Sequence, residues 1–175
     1  MENSTLFRTF GTMLDCSRNA VPNLHTLKKW VDLTASLGYN TLLLYTEDTY
    51  EVPDEPYFGY MRGRYSQAEL RELDAYAKKQ GMTIMPCIQT LAHLYAIKRW
   101  PEYWPHFDTD DILLAGDERV YTLIDHMFRS LAASLLPDDP SRYGRGGDVR
   151  ARPVLQPARR LQPLTGAAHA FAARM

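Results

Sequence analysis

Three short polar clusters hold the side chains of this sequence whose types and spacing could do chemistry. They are Asp15, Ser17 and Arg18; Glu47 and Asp48; and Gln89 with His93. Each follows an apolar run: FGTMLD, TLLLY and MTIMPCI. The types suit recognition of a polar ligand. The guanidinium of Arg18 is a planar fork of donors that fits sugar hydroxyls or a carboxylate; its plainer reading is a surface ion pair. Glu47 and Asp48 are adjacent, so at a strand end they point to different sides and do not form an acid/base pair together. One is expected to bind a ligand while the other caps or pairs. His93 could orient a carboxylate or serve as a structural hydrogen bonder. Tyr95, Trp100, Tyr103 and Trp104 could stack on the apolar faces of sugar rings, or pack their loop down. His25, His93, His106, His126 and His169 show no His-x-His or His-Glu-x-x-His spacing, so no metal or other cofactor is expected. No Gly-x-Ser-x-Gly nucleophile elbow is present.

These clusters need elements to carry them. The stretch YNTLLLYTEDTY, residues 39–50, follows Gly38 and reads as a strand buried on both faces, the kind found in parallel sheets. Carboxylates just past it are expected at the rim, where water or a ligand meets them. Phe10–Asp15 and Met82–Ile88 are the other candidate strands, the second containing Pro86. Pro22 and Asn23 open a helix with Leu24, Leu27, Trp30, Val31, Thr34 and Leu37 on its apolar face. Ser66 with Glu69 forms a capping box before Leu70, Leu73 and Ala77. A third helix is expected from about Asp117, burying Val120, Leu123, Ile124, Met127, Phe128, Leu131 and Leu135. The order β-α-β-α-β-α predicts an α/β fold with parallel strands, either a doubly wound sheet or part of a barrel. No glycine-rich phosphate loop follows the first strand, which counts against nucleotide binding. The long connection after Asp48 is expected to be functional or to carry a small hairpin.

The chain has 175 residues, 45% of them hydrophobic, with a net charge of -1. Such a balance calls for neither a nucleic-acid nor a membrane partner, and no apolar run is long enough to span a bilayer. The first residues lack a basic region followed by an apolar one, so a cytoplasmic location is expected. Cys16 and Cys87 are expected as buried thiols, both near strand ends. The average hides a seam. Residues 1–136 carry thirteen basic and eighteen acidic side chains, and residues 137–175 carry seven arginines against three aspartates. That change of alphabet marks a boundary.

In this order and spacing, the blocks MLDCSRNAVP, LLLYTEDTYEV, FGYMRGRYS and MPCIQTLAHL resemble the N-terminal half of the catalytic barrel of glycoside hydrolase family 20, the exo-acting β-N-acetylhexosaminidases. The resemblance covers residues 6–136. It implies a partial (β/α)8 TIM barrel of about three β-α units, while the Arg/Pro-rich composition of residues 137–175 reads as an irregular tail, disordered or translated out of frame. It also implies a carbohydrate ligand, terminal N-acetylhexosamine. Arg18 matches the family's arginine for the outer sugar hydroxyls. Glu47 and Asp48 stand where an acidic residue joins the active-site network, and His93 matches a histidine that supports the general acid. Catalysis in the family is substrate-assisted, with the sugar's acetamido oxygen attacking the anomeric carbon. An Asp-Glu pair after the fourth strand orients the acetamido group and protonates the leaving oxygen.

The sequence departs from the family at that pair. Gly146-Gly147-Asp148 falls at about the right distance, but Val149 occupies the Glu position and no Glu follows Glu118. Asp148 is therefore a poor counterpart, and the chain is expected to lack glycosidase activity. Self-association through the incomplete barrel is a further expectation, because an open sheet leaves apolar faces and an unpaired edge. The alternative function is a non-catalytic sugar-binding module.

Overall fold

The computed structural model describes residues 8–18 and 20–135. The tail 137–175, Asp148 included, lies outside the described residues. Strands β1 (Gly11–Asp15), β2 (Thr41–Thr46) and β3 (Thr83–Ile88) alternate with helices α1 (Leu24–Ser36), α2 (Gln67–Lys79) and α3 (Glu118–Leu135). Two 3₁₀ turns, Tyr95–Arg99 and Pro101–His106, occupy the connection from β3 to α3. The helix starts are set locally. The Asn23 side chain accepts from the Thr26 amide at 2.9 Å. At α2 the expected capping box forms: the Ser66 hydroxyl accepts from the Glu69 amide at 3.2 Å, and the Glu69 carboxylate accepts from the Ser66 amide at 2.8 Å. Leu37 departs from its expected burial. It is the C-cap of α1, already off the helical stripe, and is exposed.

The strands pair in parallel in the order β1-β2-β3, with Asp15, Tyr45 and Cys87 in register at the ends that carry the polar clusters. A doubly wound sheet reverses its strand order and puts helices on both faces. Here the order is sequential, and α1 packs on α2 and α2 on α3. Alternation along the strands separates two faces. Leu42, Leu44 and Ile84 are buried in one core with Leu27, Val31, Leu70, Leu73, Ala77, Leu123 and Met127. On the other face Met13, Leu43 and Met85 lie in one register layer, with Met13 54% and Met85 44% exposed. One face on helices and the other left for a second layer of side chains is the arrangement of consecutive units in a (β/α)8 barrel, whose interior is filled this way. Pro86 is tolerated because β3 is an edge strand among the described residues, where a missing ladder donor costs little.

Candidate functional site

Parallel strands deliver their C-terminal ends to one side of a sheet, so the loops after β1 and β2 meet. Arg18 Nη1 donates to Glu47 Oε2 at 3.4 Å, and Nη2 stands 3.3 Å from Oε1. Oε1 is in ionic contact only, without a well-directed hydrogen bond. The pair is asymmetric: the Glu47 side chain is 0% exposed and that of Arg18 is 54% exposed. The Tyr95 ring flanks the guanidinium, with its centroid 6.0 Å away. Burial pushes the Glu47 carboxyl above its ordinary value, reinforced by Asp48 and opposed by Arg18 and Arg62. The Glu47 charge in turn raises Arg18. The arrangement draws a cationic fork toward a buried charge and leaves its other side open to a ligand.

Of the expectation that these carboxylates meet water or a ligand at the rim, exposure to water is not found. Glu47 and Asp48 are both buried. The physical reason is that each is paired with an arginine of its own, Glu47 with Arg18 and Asp48 with Arg62. Arg62 Nε donates to Asp48 Oδ1 at 3.0 Å, and its Nη2 donates to the Ser17 carbonyl oxygen. The β1 loop is closed by Asp15, whose Oδ1 accepts from the Ser17 amide at 2.8 Å and the Ser17 hydroxyl at 2.7 Å, holding its carboxyl below the ordinary value. Gly59 closes the β2 loop. A Cβ there would stand 2.0 Å from the Asp48 carbonyl oxygen, and its φ of +65° also disfavours any other residue.

A further buried carboxylate, Glu55, was not legible in the sequence. Its Oε1 accepts from Arg119 Nη1 at 2.7 Å and its Oε2 from Nη2 at 2.6 Å. His126 Nδ1 lies 2.9 Å from Oε1, and the Tyr103 hydroxyl donates to Oε2 at 3.2 Å. Burial would raise this carboxyl, but Arg119, His126 and Tyr103 outweigh burial and hold it below its ordinary value. Arg119 and His126 are seven residues apart on α3, two turns along one face. That spacing is the one local hint; the partners lie 64 and 71 residues from Glu55. The connection after β2 is thus a loop pinned at Glu55 and at Arg62, and its β-structure is a single parallel bridge, Tyr50 to Tyr65, rather than a hairpin.

The remaining candidates are dispersed. Gln89 donates to the Tyr45 hydroxyl at 2.8 Å, which ties β3 to β2. His93 adopts a left-handed φ of 62° and places Nδ1 3.9 Å from Asp111 Oδ2, both side chains being exposed. The hydrogen bonds and ion pairs of Arg18 and Glu47 do not include it. Tyr103 is buried against Glu55, while Trp100 stacks on Tyr57 at 5.4 Å and meets Tyr60 edge-on at 5.3 Å. Tyr95 and Trp104 remain exposed. Cys16 is buried and Cys87 half-buried, both as free thiols. β2 lies between their positions, so they stand two strand spacings (~10 Å) apart, beyond disulfide reach. Among the described residues no group of three or more His, Cys, Asp or Glu could hold a metal ion, and no helix is long and apolar enough to cross a membrane.

With parallel β-α units in sequential order and polar groups at one set of strand ends, the class is that of (β/α)-barrel proteins. No protein-family model matches the chain. It is similar in sequence to the beta-hexosaminidase of Vibrio furnissii, 29% identical over 63% of this chain and 22% of that protein. In fold it is similar to the GH20 exo beta-N-acetylglucosaminidase of Vibrio harveyi in complex with N-acetylglucosamine, at a TM-score of 0.65 and 24% identity, covering 74% of this chain and 26% of the other. The N-acetyl-beta-hexosaminidase of Streptomyces plicatus matches with a TM-score of 0.65 and 20% identity over 75% of this chain and 31% of the other. The chain therefore spans about a fifth of the curated relative and between a quarter and a third of these two solved structures. The expected resemblance is thus met in sequence by a beta-hexosaminidase and in fold by GH20 structures.

Proposed function

We propose that the Arg18–Glu47 site binds the outer hydroxyls of a terminal β-linked N-acetylhexosamine, and that this chain does not hydrolyse the glycosidic bond. The observation that carries the reading is the asymmetry of the pair: a buried carboxylate orients a guanidinium that keeps half its surface for a ligand. A guanidinium drawn to one side by a buried charge keeps outward N–H donors free, and their planar spacing suits the hydroxyls of a vicinal diol. The similarity to β-N-acetylhexosaminidases supports the choice of sugar. Substrate-assisted retaining hydrolysis, as in family 20, needs a proton donor beside the scissile oxygen, and at the expected position stands Val149, which has no proton to give. In this reading Tyr95, whose ring flanks the Arg18 guanidinium, covers one face of the sugar ring. A cytoplasmic setting belongs to the same proposal.

The test is calorimetric titration of the full chain with N-acetylglucosamine, alongside an assay with a chromogenic aryl N-acetyl-β-glucosaminide. Saturable binding without release of the aryl alcohol is the expected result. Turnover would overturn the proposed inactivity, and absence of any binding would overturn the sugar site itself.

The same proposal includes self-association. Met13 and Met85 stand exposed on either side of Leu43 on a sheet face that the described helices leave uncovered, and burying such a layer is favourable. Size-exclusion chromatography is expected to return a species larger than a monomer. A stable monomer at all concentrations would count against it.

A further inference from the structure

The chain neighbours of the Arg18–Glu47 pair are held by one side chain. Arg62 Nη2 donates to the carbonyl of Ser17, the residue before Arg18, and Nε donates to the carboxylate of Asp48, the residue after Glu47. The Arg62 side chain is only 16% exposed, and that of Asp48 2%. We propose that Arg62 is a positioning residue: by spanning the β1 and β2 loops with one planar fork, it sets the distance and angle at which Arg18 meets Glu47.

Three features of the geometry make this more than an incidental ion pair. A guanidinium donates in fixed directions, so two bonds from one fork constrain both loops relative to each other, whereas a single bond would let either pivot. The two anchors differ in kind, one a backbone carbonyl and one a carboxylate, so Arg62 fixes the path of the β1 loop as well as pairing a charge. The base of the fork is also held. The Gly59 backbone sits against the Asp48 carbonyl oxygen, so the segment bearing Arg62 cannot drift from Asp48 without opening that contact. The charged groups acting on Glu47 are Arg18, Asp48, Arg62 and Asp15, with Arg62 favouring its ionised form. Arg62 therefore acts on the pair both through the loops and through its charge, and the two effects separate experimentally.

The inference rests on the sugar-binding reading for its functional consequence but not for its test. In the full chain, the Glu47 side-chain carboxyl is titrated by ¹³C NMR in the wild type, Arg62→Met and Arg62→Lys, and N-acetylglucosamine affinity is measured for each. Arg62→Met is expected to move the Glu47 midpoint upward and to weaken the sugar by about 10- to 100-fold, as for a lost pair of charge-assisted bonds. Arg62→Lys keeps the charge but not the fork, so Arg18 no longer meets Glu47 at the same distance: the Glu47 midpoint should stay above wild type and the affinity should stay low. Wild-type affinity in Arg62→Lys would overturn the positioning role. If the wild type binds no sugar, the functional reading fails while the Glu47 midpoint still decides for Arg62: a midpoint that stays raised in Arg62→Lys supports the positioning role, and one unchanged in Arg62→Met or restored in Arg62→Lys overturns it.

Discussion

Replacing Glu55 with alanine is expected to lower the stability of the fold by about 3–5 kcal/mol, a large part of the roughly 5–15 kcal/mol available to a domain. The reason is what the substitution leaves behind. Glu55 is 1% exposed and accepts both arms of the Arg119 fork, at 2.7 and 2.6 Å, together with the Tyr103 hydroxyl. Without the carboxylate, a buried phenol loses its partner, and a largely buried guanidinium loses its bidentate one and keeps only the longer contact with Glu102 at 3.6 Å. Arg119 keeps 30% of its side chain exposed, which places the cost toward the lower end. Urea denaturation measures it, and a double-mutant cycle of Glu55→Ala with Arg119→Ala isolates the coupling. The pH dependence has a definite sign. The Glu55 carboxyl is held below its ordinary value, so its stabilisation is present above that value and is lost as pH falls through the folded one. Glu55→Ala should remove this acid-sensitive part of the profile. An unchanged urea midpoint would show that the loop after β2 does not depend on the latch.

The Glu47→Gln substitution is expected to separate function from stability. Sugar affinity should fall by about 10- to 100-fold, because the amide no longer draws the Arg18 fork into one orientation by charge. Stability should stay level or rise by up to about 1 kcal/mol, since a carboxylate taken wholly out of water is costly and its partner is half solvated. The sign again follows from the shift. Burial raises the Glu47 carboxyl, so its contribution to stability is greatest below its ordinary value and declines as pH rises through the folded value. The variant lacks that decline, so its advantage should grow with pH across the same window. Thermal unfolding at several pH values checks the second half, and titration with N-acetylglucosamine checks the first. A variant that loses stability and affinity together would mean that Glu47 is a core residue rather than an orienting one.

The two carboxylates illustrate opposite settlements of one problem. Glu55 is surrounded by donors that outweigh its burial, whereas Glu47 is not. The difference lies in partner number. Glu55 has a bidentate guanidinium, an imidazole nitrogen and a phenol, while Glu47 has a longer, less directed contact with one guanidinium. Strong satisfaction suits a latch, and incomplete satisfaction leaves Arg18 with donors to spare for a ligand.

What the sequence by itself determined is whatever local chemistry decides. The Ser66–Glu69 capping box, the Asn23 cap, the apolar stripes of α2 and α3 and the three strands all depend on residues within a few positions of one another, and they form where their patterns place them. The order of those elements, with the four family blocks, also carried the barrel reading and the nomination of Arg18 and Glu47 as site residues. Tertiary structure decided the rest. The choice of a sequential over a reversed strand order rests on which strands pair, and Leu37 left its stripe because the helix ended one residue earlier. Most of all, a side chain's burial depends on what crosses above it. Glu47 and Asp48 went inside because Arg18, 29 residues before Glu47, and Arg62, 14 after Asp48, came to meet them. Glu55 became a latch because α3 returned over it from 64 residues away. Charge pairing at such separations leaves no periodic trace in a sequence, because a long loop can bring either partner from many positions at nearly the same entropic cost.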